Sequence, residues 1–301
     1  MRVCFGLFAI VVLFACDNRF EYELPLNKPR MVVNFISVDT EPWTGTLALS
    51  WPILEYGSPN GVGVPGGVLK VYEDGSLIGE TKVGAATPGY DQQMTLSSRP
   101  TPGKTYTIEA SSPDYGTASS TYVQPLPVPI EKFEVELVGP DPEFQNEETI
   151  EFRVTFIDPP GENFYEVQAI FAWDSLSLHG QGYQIFFSDP LYENRHKGKF
   201  YTMPYFDDTY FEGQRVTMAF RARASESQFL NERPEDRLDY QWITLRNVSK
   251  SYYRYAITID LQQAVWGDPY AQPVKVETNV KGGFGVVGGW TQTAKGKPFI
   301  Y

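Results

Sequence analysis

The chain has 301 residues, 42% hydrophobic and 21% charged, enough apolar material for ordinary globular cores and too little charge for a disordered chain. Its net charge of -12 repels a phosphate backbone, and no basic cluster offsets it, so a nucleic-acid partner is excluded. Aromatic residues at 15%, together with 26 Gly and 23 Pro, favour many short strands joined by turns over long helices.

"MRVCFGLFAIVVLFAC" carries one basic residue, Arg2, followed by an apolar run of roughly 13 residues, Val3–Ala15. A membrane-spanning helix needs about 20. The segment therefore reads as the apolar region of a secretory signal. Leu13 stands three positions before Cys16 and small Ala15 stands directly before it, so "LFAC" resembles a bacterial lipobox in which the chain is cut before Cys16 and the thiol is acylated. Phe14 is bulkier than the usual residue there. Cys4 and Cys16 are the only cysteines, so a chain cut at this point keeps only the anchor and has no disulfide. Two or more acyl chains hold a protein stably on a bilayer. Residues 1–15 are thus expected to be the signal peptide, and residues 16–30, polar and proline-punctuated, the lipidated tether.

Residues 31–124 read as a β-sandwich of immunoglobulin-like or transthyretin-like type. "MVVNFISV" opens it as a strand, and "GVLKVYEDGSLIGETKV" predicts a hairpin turning at Asp74-Gly75, both of which tolerate positive φ. "KTYTIEASS" alternates Tyr106, Ile108 and Ala110 against Thr105, Thr107 and Glu109, as a half-buried strand does. Pro125, Pro127 and Pro129 fall at every second position, and proline disfavours both ladder and helix. Residues 125–130 therefore read either as a stiff connector or as an edge strand with its prolines outward.

Residues 131–301 are expected to form a second β-rich domain with one helix. "ETIEFRVTFID" places Ile150, Phe152, Val154 and Phe156 on one face; "RVTMAFRARAS" does the same with Val216, Met218, Phe220 and Ala222. "YEVQAIFAWDS" is apolar on both faces and suits a central strand. "SKSYYRYAITIDLQQAVWG" is the helix, capped by Ser249 or Ser251, although β-branched Ile257, Thr258 and Ile259 oppose it. "PVKVETNV" reads as a further strand and "FGVVGGW" as the last.

Gly283, Gly285 and Gly288 spell G-x-G-x-x-G, the fingerprint of a dinucleotide-binding turn. That reading needs a helix opening within the motif and an acidic residue about 20 positions later. Val286 and Val287 are β-formers, and no acidic residue follows. The glycines are instead expected to permit a tight turn or close packing of backbones.

The stretch from Ser249 to Trp290 resembles the C-terminal signature of the domain-of-unknown-function 4249 family, lipoproteins of Bacteroidota. Tyr252, Tyr253, Pro273, Val274, Asn279, Gly282, Gly283 and Gly285 carry the likeness, while Val287 stands where a Phe is often found. The lipobox Cys16, the "MVVNFIS" strand and the prolines near Pro127 extend it over nearly the whole chain. The resemblance implies a structural turn at Asn279, Gly282, Gly283 and Gly285, and attachment to the outer membrane at the cell surface. It also implies genes lying beside TonB-dependent outer-membrane transporters, hence an accessory role in uptake. Asp17, Glu21 and Glu23 resemble a surface-export signal.

For chemistry the sequence offers little. His179 and His196 lack metal-site spacing, so neither a metal nor a cofactor is expected. Asp207-Asp208 sit among aromatics, and adjacent carboxylates on a strand face opposite ways, so the stretch reads as a solvated loop with aromatic packing rather than a calcium or sugar contact. Trp43, Trp51, Trp173 and Tyr183 suit a core better than a sugar platform. No serine has a nucleophile-elbow context, and none of the 37 acidic residues is singled out as half of a catalytic pair. The expectation is a non-catalytic ligand-binding or transporter-accessory lipoprotein. An adhesion or structural module of the envelope is the second reading, and a hydrolase the third.

Overall fold

Strands dominate because alternation and β-branching dominate. The computed structural model describes residues 28–50, 63–82, 92–141, 147–172, 181–188, 204–223, 239–265, 270–272 and 274–299. Cys16, Trp51, Trp173, His179, His196 and Pro273 lie outside them. The strands are β1 (Met31–Val38), β2 (Trp43–Leu49), β3 (Val68–Glu73), β4 (Ser76–Lys82), β5 (Gln92–Leu96), β6 (Thr105–Ser112), β7 (Gly116–Val123), β8 (Ile130–Asp141) and β9 (Glu147–Ile157). They continue with β10 (Phe164–Ala172), β11 (Gln181–Gly182), β12 (Phe186–Phe187), β13 (Tyr205–Asp207), β14 (Arg215–Arg223), β15 (Asp239–Val248) and β16 (Phe284–Phe299), with helix α1 (Lys250–Ala264) between the last two. Among the described residues no helix is long and apolar enough to cross a membrane.

The fold is a multi-sheet β-sandwich with two cores. A four-stranded sheet, β4-β3-β6-β7, covers one end of an eight-stranded sheet, β11-β10-β15-β16-β1-β2-β5 with β13 also on β10; a second four-stranded sheet, β12-β14-β9-β8, covers the other end. The first core gathers Phe35, Trp43, Leu69, Tyr106, Ile108 and Val287; the second gathers Phe152, Phe156, Tyr165, Phe220, Ile243 and Leu245. The period-two patterns hold: Tyr106, Ile108 and Ala110 are buried on β6, and Ile150, Phe152, Val154 and Phe156 on β9. The hairpin turns at Asp74 and Gly75, with φ of 47° and 85°.

The long last strand joins the two halves. Phe284–Trp290 pairs in parallel with β1, the one parallel pairing among the described strands, and Trp290–Phe299 pairs antiparallel with β15. The first half of β16 thus completes the N-terminal sandwich and the second half the C-terminal one. The proline segment 124–129 forms no strand. Its carbonyls are held by side chains of the second sandwich: Asn247 Nδ2 donates to Leu126 O at 3.0 Å, and Thr293 Oγ1 to Val128 O at 2.7 Å. Alternate prolines have no N–H to satisfy, so side-chain donors to the intervening carbonyls suffice.

Helix α1 begins at Ser249, whose Oγ accepts from Tyr252 N. The β-branched residues are accommodated in it: Thr258 Oγ1 donates back to Arg254 O and Tyr255 O at 2.9 Å. One expectation is corrected. Residues 274–280 form no strand, because their polar groups turn sideways: Glu277 N donates to Thr258 Oγ1, and Thr278 and Asn279 bond the backbone of β16 through their side chains. Only Lys281 makes a ladder contact, an isolated antiparallel bridge to Ser119.

Candidate functional site

The glycine-rich stretch is a backbone junction. The edge of β16 that β15 leaves open, from Gly285 to Gly289, is capped by side chains. Asn279 Oδ1 accepts from Val287 N at 2.9 Å while Asn279 Nδ2 donates to Val287 O at 2.7 Å, so one amide replaces one residue of a partner strand. Ser251 Oγ donates to the same carbonyl, Thr278 Oγ1 donates to Gly285 O, and Gly289 N donates to Ser249 Oγ. On the other side, glycines let neighbouring backbone come close. At Gly285, φ is 102° and a Cβ would lie 2.2 Å from Val33 O; at Gly283 it would lie 2.5 Å from Met31 O, and at Gly282 2.4 Å from Thr117 O. Asn279, Gly282, Gly283 and Gly285 are thus brought together at one turn. The sequence pattern did not bring in Ser249 or Ser251, whose hydroxyls read only as helix caps. Of the paired tyrosines, Tyr252 packs on Trp290 at 5.0 Å and Tyr253 on Phe164 at 4.6 Å. Val287, standing where a Phe is often found, is fully buried in the first core.

Where the two sandwiches meet, a buried polar chain crosses from one to the other. Ser37 Oγ lies 2.5 Å from Tyr122 OH and donates to Gln124 Oε1 at 2.7 Å; Gln124 Nε2 donates to Trp290 O at 2.8 Å. Gln124 and Ser37 are at most 1% exposed, so each polar atom needs the partner it has. Burial pushes the Tyr122 phenol well above its ordinary range and keeps it neutral.

Beside this junction opens a cleft of about 770 Å³. One wall comes from the first sandwich and the connector, with Thr121, Val123 and Leu126; the facing wall is the loop after β9, with Pro159 and Asn163. Val123 and Leu126 are each 56% exposed and give this wall an apolar surface. The floor is the start of α1. There Lys250 Nζ donates to both oxygens of Glu162 at 2.8 and 2.7 Å, a solvent-exposed pair of little net worth. Clefts between domains that mix apolar walls with a few polar groups are the common seat of ligand sites.

One acidic cluster adjoins the cleft through the loop that carries Pro159 and Asn163. Asp158, at the end of β9, accepts from Tyr165 OH at 2.5 Å and from Gly213 N at 2.7 Å. Asp208 accepts from Asn163 N, and Glu212 from Gly161 N. One carboxylate oxygen of each lies within 4.8 Å of the others, an oxygen set a hard cation could use. Burial raises the Asp158 and Asp208 carboxyls, and the neighbouring Glu212 raises both further. Of the adjacent pair, Asp207 points elsewhere and accepts from Thr209, so the two carboxylates face apart as alternation requires. The sequence reading of Asp208 as part of a solvated loop is corrected: it is 5% exposed. Under α1, Glu166 is 1% exposed and paired with Arg246 at 2.8 Å, and burial raises its carboxyl against that pairing. The Tyr252 hydroxyl above it is pushed up to about 12, by burial first and then by Glu166. Trp43 and Tyr183 are core residues, at 0% and 6% exposure.

No curated protein matches the chain. The family profile described as Domain of unknown function (DUF4249) matches residues 17–296, nearly the whole length and including the Asn279–Gly285 turn. The chain belongs to the DUF4249 family.

Proposed function

We propose that this is a lipid-anchored protein of the outer membrane, exposed at the cell surface of a Bacteroidota cell. In this reading it serves a TonB-dependent transporter as a non-catalytic accessory, holding its ligand in the cleft between the two sandwiches. The observation that carries the reading is the cleft itself, about 770 Å³ set against a junction in which one strand and a buried hydrogen-bond chain fix both walls. A binding site gains affinity when its walls need no ordering on association.

The lipobox around Cys16 supports the anchor. Seven steps of about 3.4 Å along β1 put roughly 24 Å between Met31, where the tether enters the fold, and Val38, which lies opposite Trp290 at the junction. The cleft would therefore stand away from the bilayer, with the first sandwich as its pedestal. An envelope adhesion module is the second reading; it rests on the tandem sandwiches and gives the cleft no task.

Two measurements test the proposal. Metabolic labelling with a clickable fatty acid is expected to mark the wild type and not Cys16→Ala; label on that variant removes the anchor. Mild crosslinking in whole cells is expected to recover the protein with a β-barrel transporter. Recovery without any barrel, together with unchanged nutrient uptake and lost attachment in a deletion strain, favours adhesion instead.

A further inference from the structure

One wall of the cleft is an unfinished β-ladder. β7 pairs with β6 on one side only, with Tyr122 opposite Tyr106 and Thr121 opposite Thr107. Successive residues of a strand aim their N–H and C=O groups to alternate sides. Gln124 N donates to Lys104 O and Gln124 O accepts from Gly103 N, so even-numbered residues here serve β6. Odd-numbered residues face outward. Ser119 shows this directly: its N–H and C=O both bond Lys281, at 2.9 and 2.8 Å. The main-chain groups of Thr121 and Val123 share that outward direction and open into the cleft, with no hydrogen bond to any described residue.

The chain itself begins a ladder on this edge and then abandons it. In antiparallel register with Ser119–Lys281, the next partners of Thr121 and Val123 would be Asn279 and Glu277. Asn279 is committed to Val287, and Glu277 N to Thr258 Oγ1. The gap left between them and β7 is part of the cleft.

We infer that the cleft takes an extended peptide, added as a strand to Thr121–Val123 and continuing the ladder that Lys281 starts. This rests on the cleft reading above and names its ligand class. Two main-chain N–H and two C=O groups supply sequence-independent hydrogen bonds. Val123 and the neighbouring Leu126, each 56% exposed, supply apolar contact for alternate side chains of the peptide. The site thus prefers peptides with an apolar or β-branched residue at every second position.

The experiment uses a fluorescein-labelled octapeptide of alternating Thr and Val flanked by Lys, and the same peptide N-methylated at every Thr and Val, which has no N–H to donate along either edge. Fluorescence anisotropy with the detergent-solubilised full chain is expected to show saturable binding of the first and at least tenfold weaker binding of the second. Val123→Pro removes one outward N–H and leaves the bonds to β6 untouched, since that N–H serves no partner. It is expected to weaken binding about tenfold, while Val123→Thr, which keeps the N–H, stays within about threefold; the loss corresponds to one ladder hydrogen bond. Amide exchange should slow at Thr121 and Val123 on peptide addition. Equal affinity for both peptides, or no binding of the unmethylated one, overturns the inference even if Val123→Pro fails to fold. A transporter crosslink that persists beside either result leaves the accessory reading standing, and a lost crosslink beside retained peptide binding removes that reading alone.

Discussion

The buried Glu166–Arg246 pair shows how much one side chain can depend on another. Both sit on the sheet face that α1 covers, with 2% of the Glu166 side chain and 17% of the Arg246 side chain exposed. Breaking a buried pair by removing one partner leaves an uncompensated charge and costs about 3–5 kcal/mol. Arg246→Ala is therefore expected to lose about that much stability at pH 8, measured by urea unfolding. The loss shrinks as pH falls, and the sign follows from the direction of the shift. Burial raises the folded-state carboxyl of Glu166 above its unfolded value, so its favourable contribution is full below the unfolded value and is lost as pH rises through the folded one. Removing the cation that opposes burial pushes that carboxyl higher still. Mildly acidic buffer then lets Glu166 take a proton and restores part of the loss. Glu166→Gln in the same background should flatten the pH dependence. An Arg246→Ala deficit that is equal at pH 5 and pH 8 would show that packing of the guanidinium on Trp290, 4.8 Å from the ring, matters more than its charge.

Asn279 governs an element: the first half of β16. Its amide is the only described partner of Val287 N, on a residue fully buried in the first core. Val287 O keeps a second donor in Ser251 Oγ. Asn279→Ala is thus expected to orphan one buried N–H and cost about 1–3 kcal/mol. Asn279→Asp keeps the acceptor and should cost less at neutral pH; equal loss in both variants would mean that the donor to Val287 O carries the cap. At the scale of elements much was legible. Period-two burial in "KTYTIEASS" and "ETIEFRVTFID", the Asp74-Gly75 turn and the Ser249 cap each follow from local chemistry that a short window contains. Val286-Val287 read as strand formers, and the glycine motif does run into the strand β16 with no helix opening within it. The parallel pairing of Phe284–Trp290 with β1 was not legible, because it joins residues about 250 apart and no local pattern fixes a partner at that distance. "PVKVETNV" misled for a related reason: Asn279 and Thr278 spend their side chains on another strand's backbone, which overrides the β propensity of their neighbours. The Asp158–Asp208–Glu212 cluster was equally hidden, since Asp158 directly follows β9 and the others come from a turn about 50 residues later.

At the scale of the molecule, the shared strand decides how the protein unfolds. A chain of 301 residues with two separate cores would ordinarily melt in two steps. Here β16 belongs to both sandwiches, and the Ser37–Gln124–Trp290 chain crosses between them while β15 and β16 hold the carbonyls of the proline segment. Neither half can lose its last strand without exposing the other's edge and orphaning these buried groups. Differential scanning calorimetry is therefore expected to show one transition whose calorimetric and van't Hoff enthalpies agree. Gly289→Ala tests the same coupling at its tightest point, since a Cβ there would lie 2.2 Å from Ser37 Oγ and 2.5 Å from Gln124 Oε1. A break confined to one sandwich would split the melting curve into two; a break in a shared joint lowers the whole transition. The second outcome is the expected one, with both enthalpies still equal. Two resolved peaks in the wild type would mean that the sandwiches are independent, and the cleft between them would then lose the fixed geometry from which its binding role was argued.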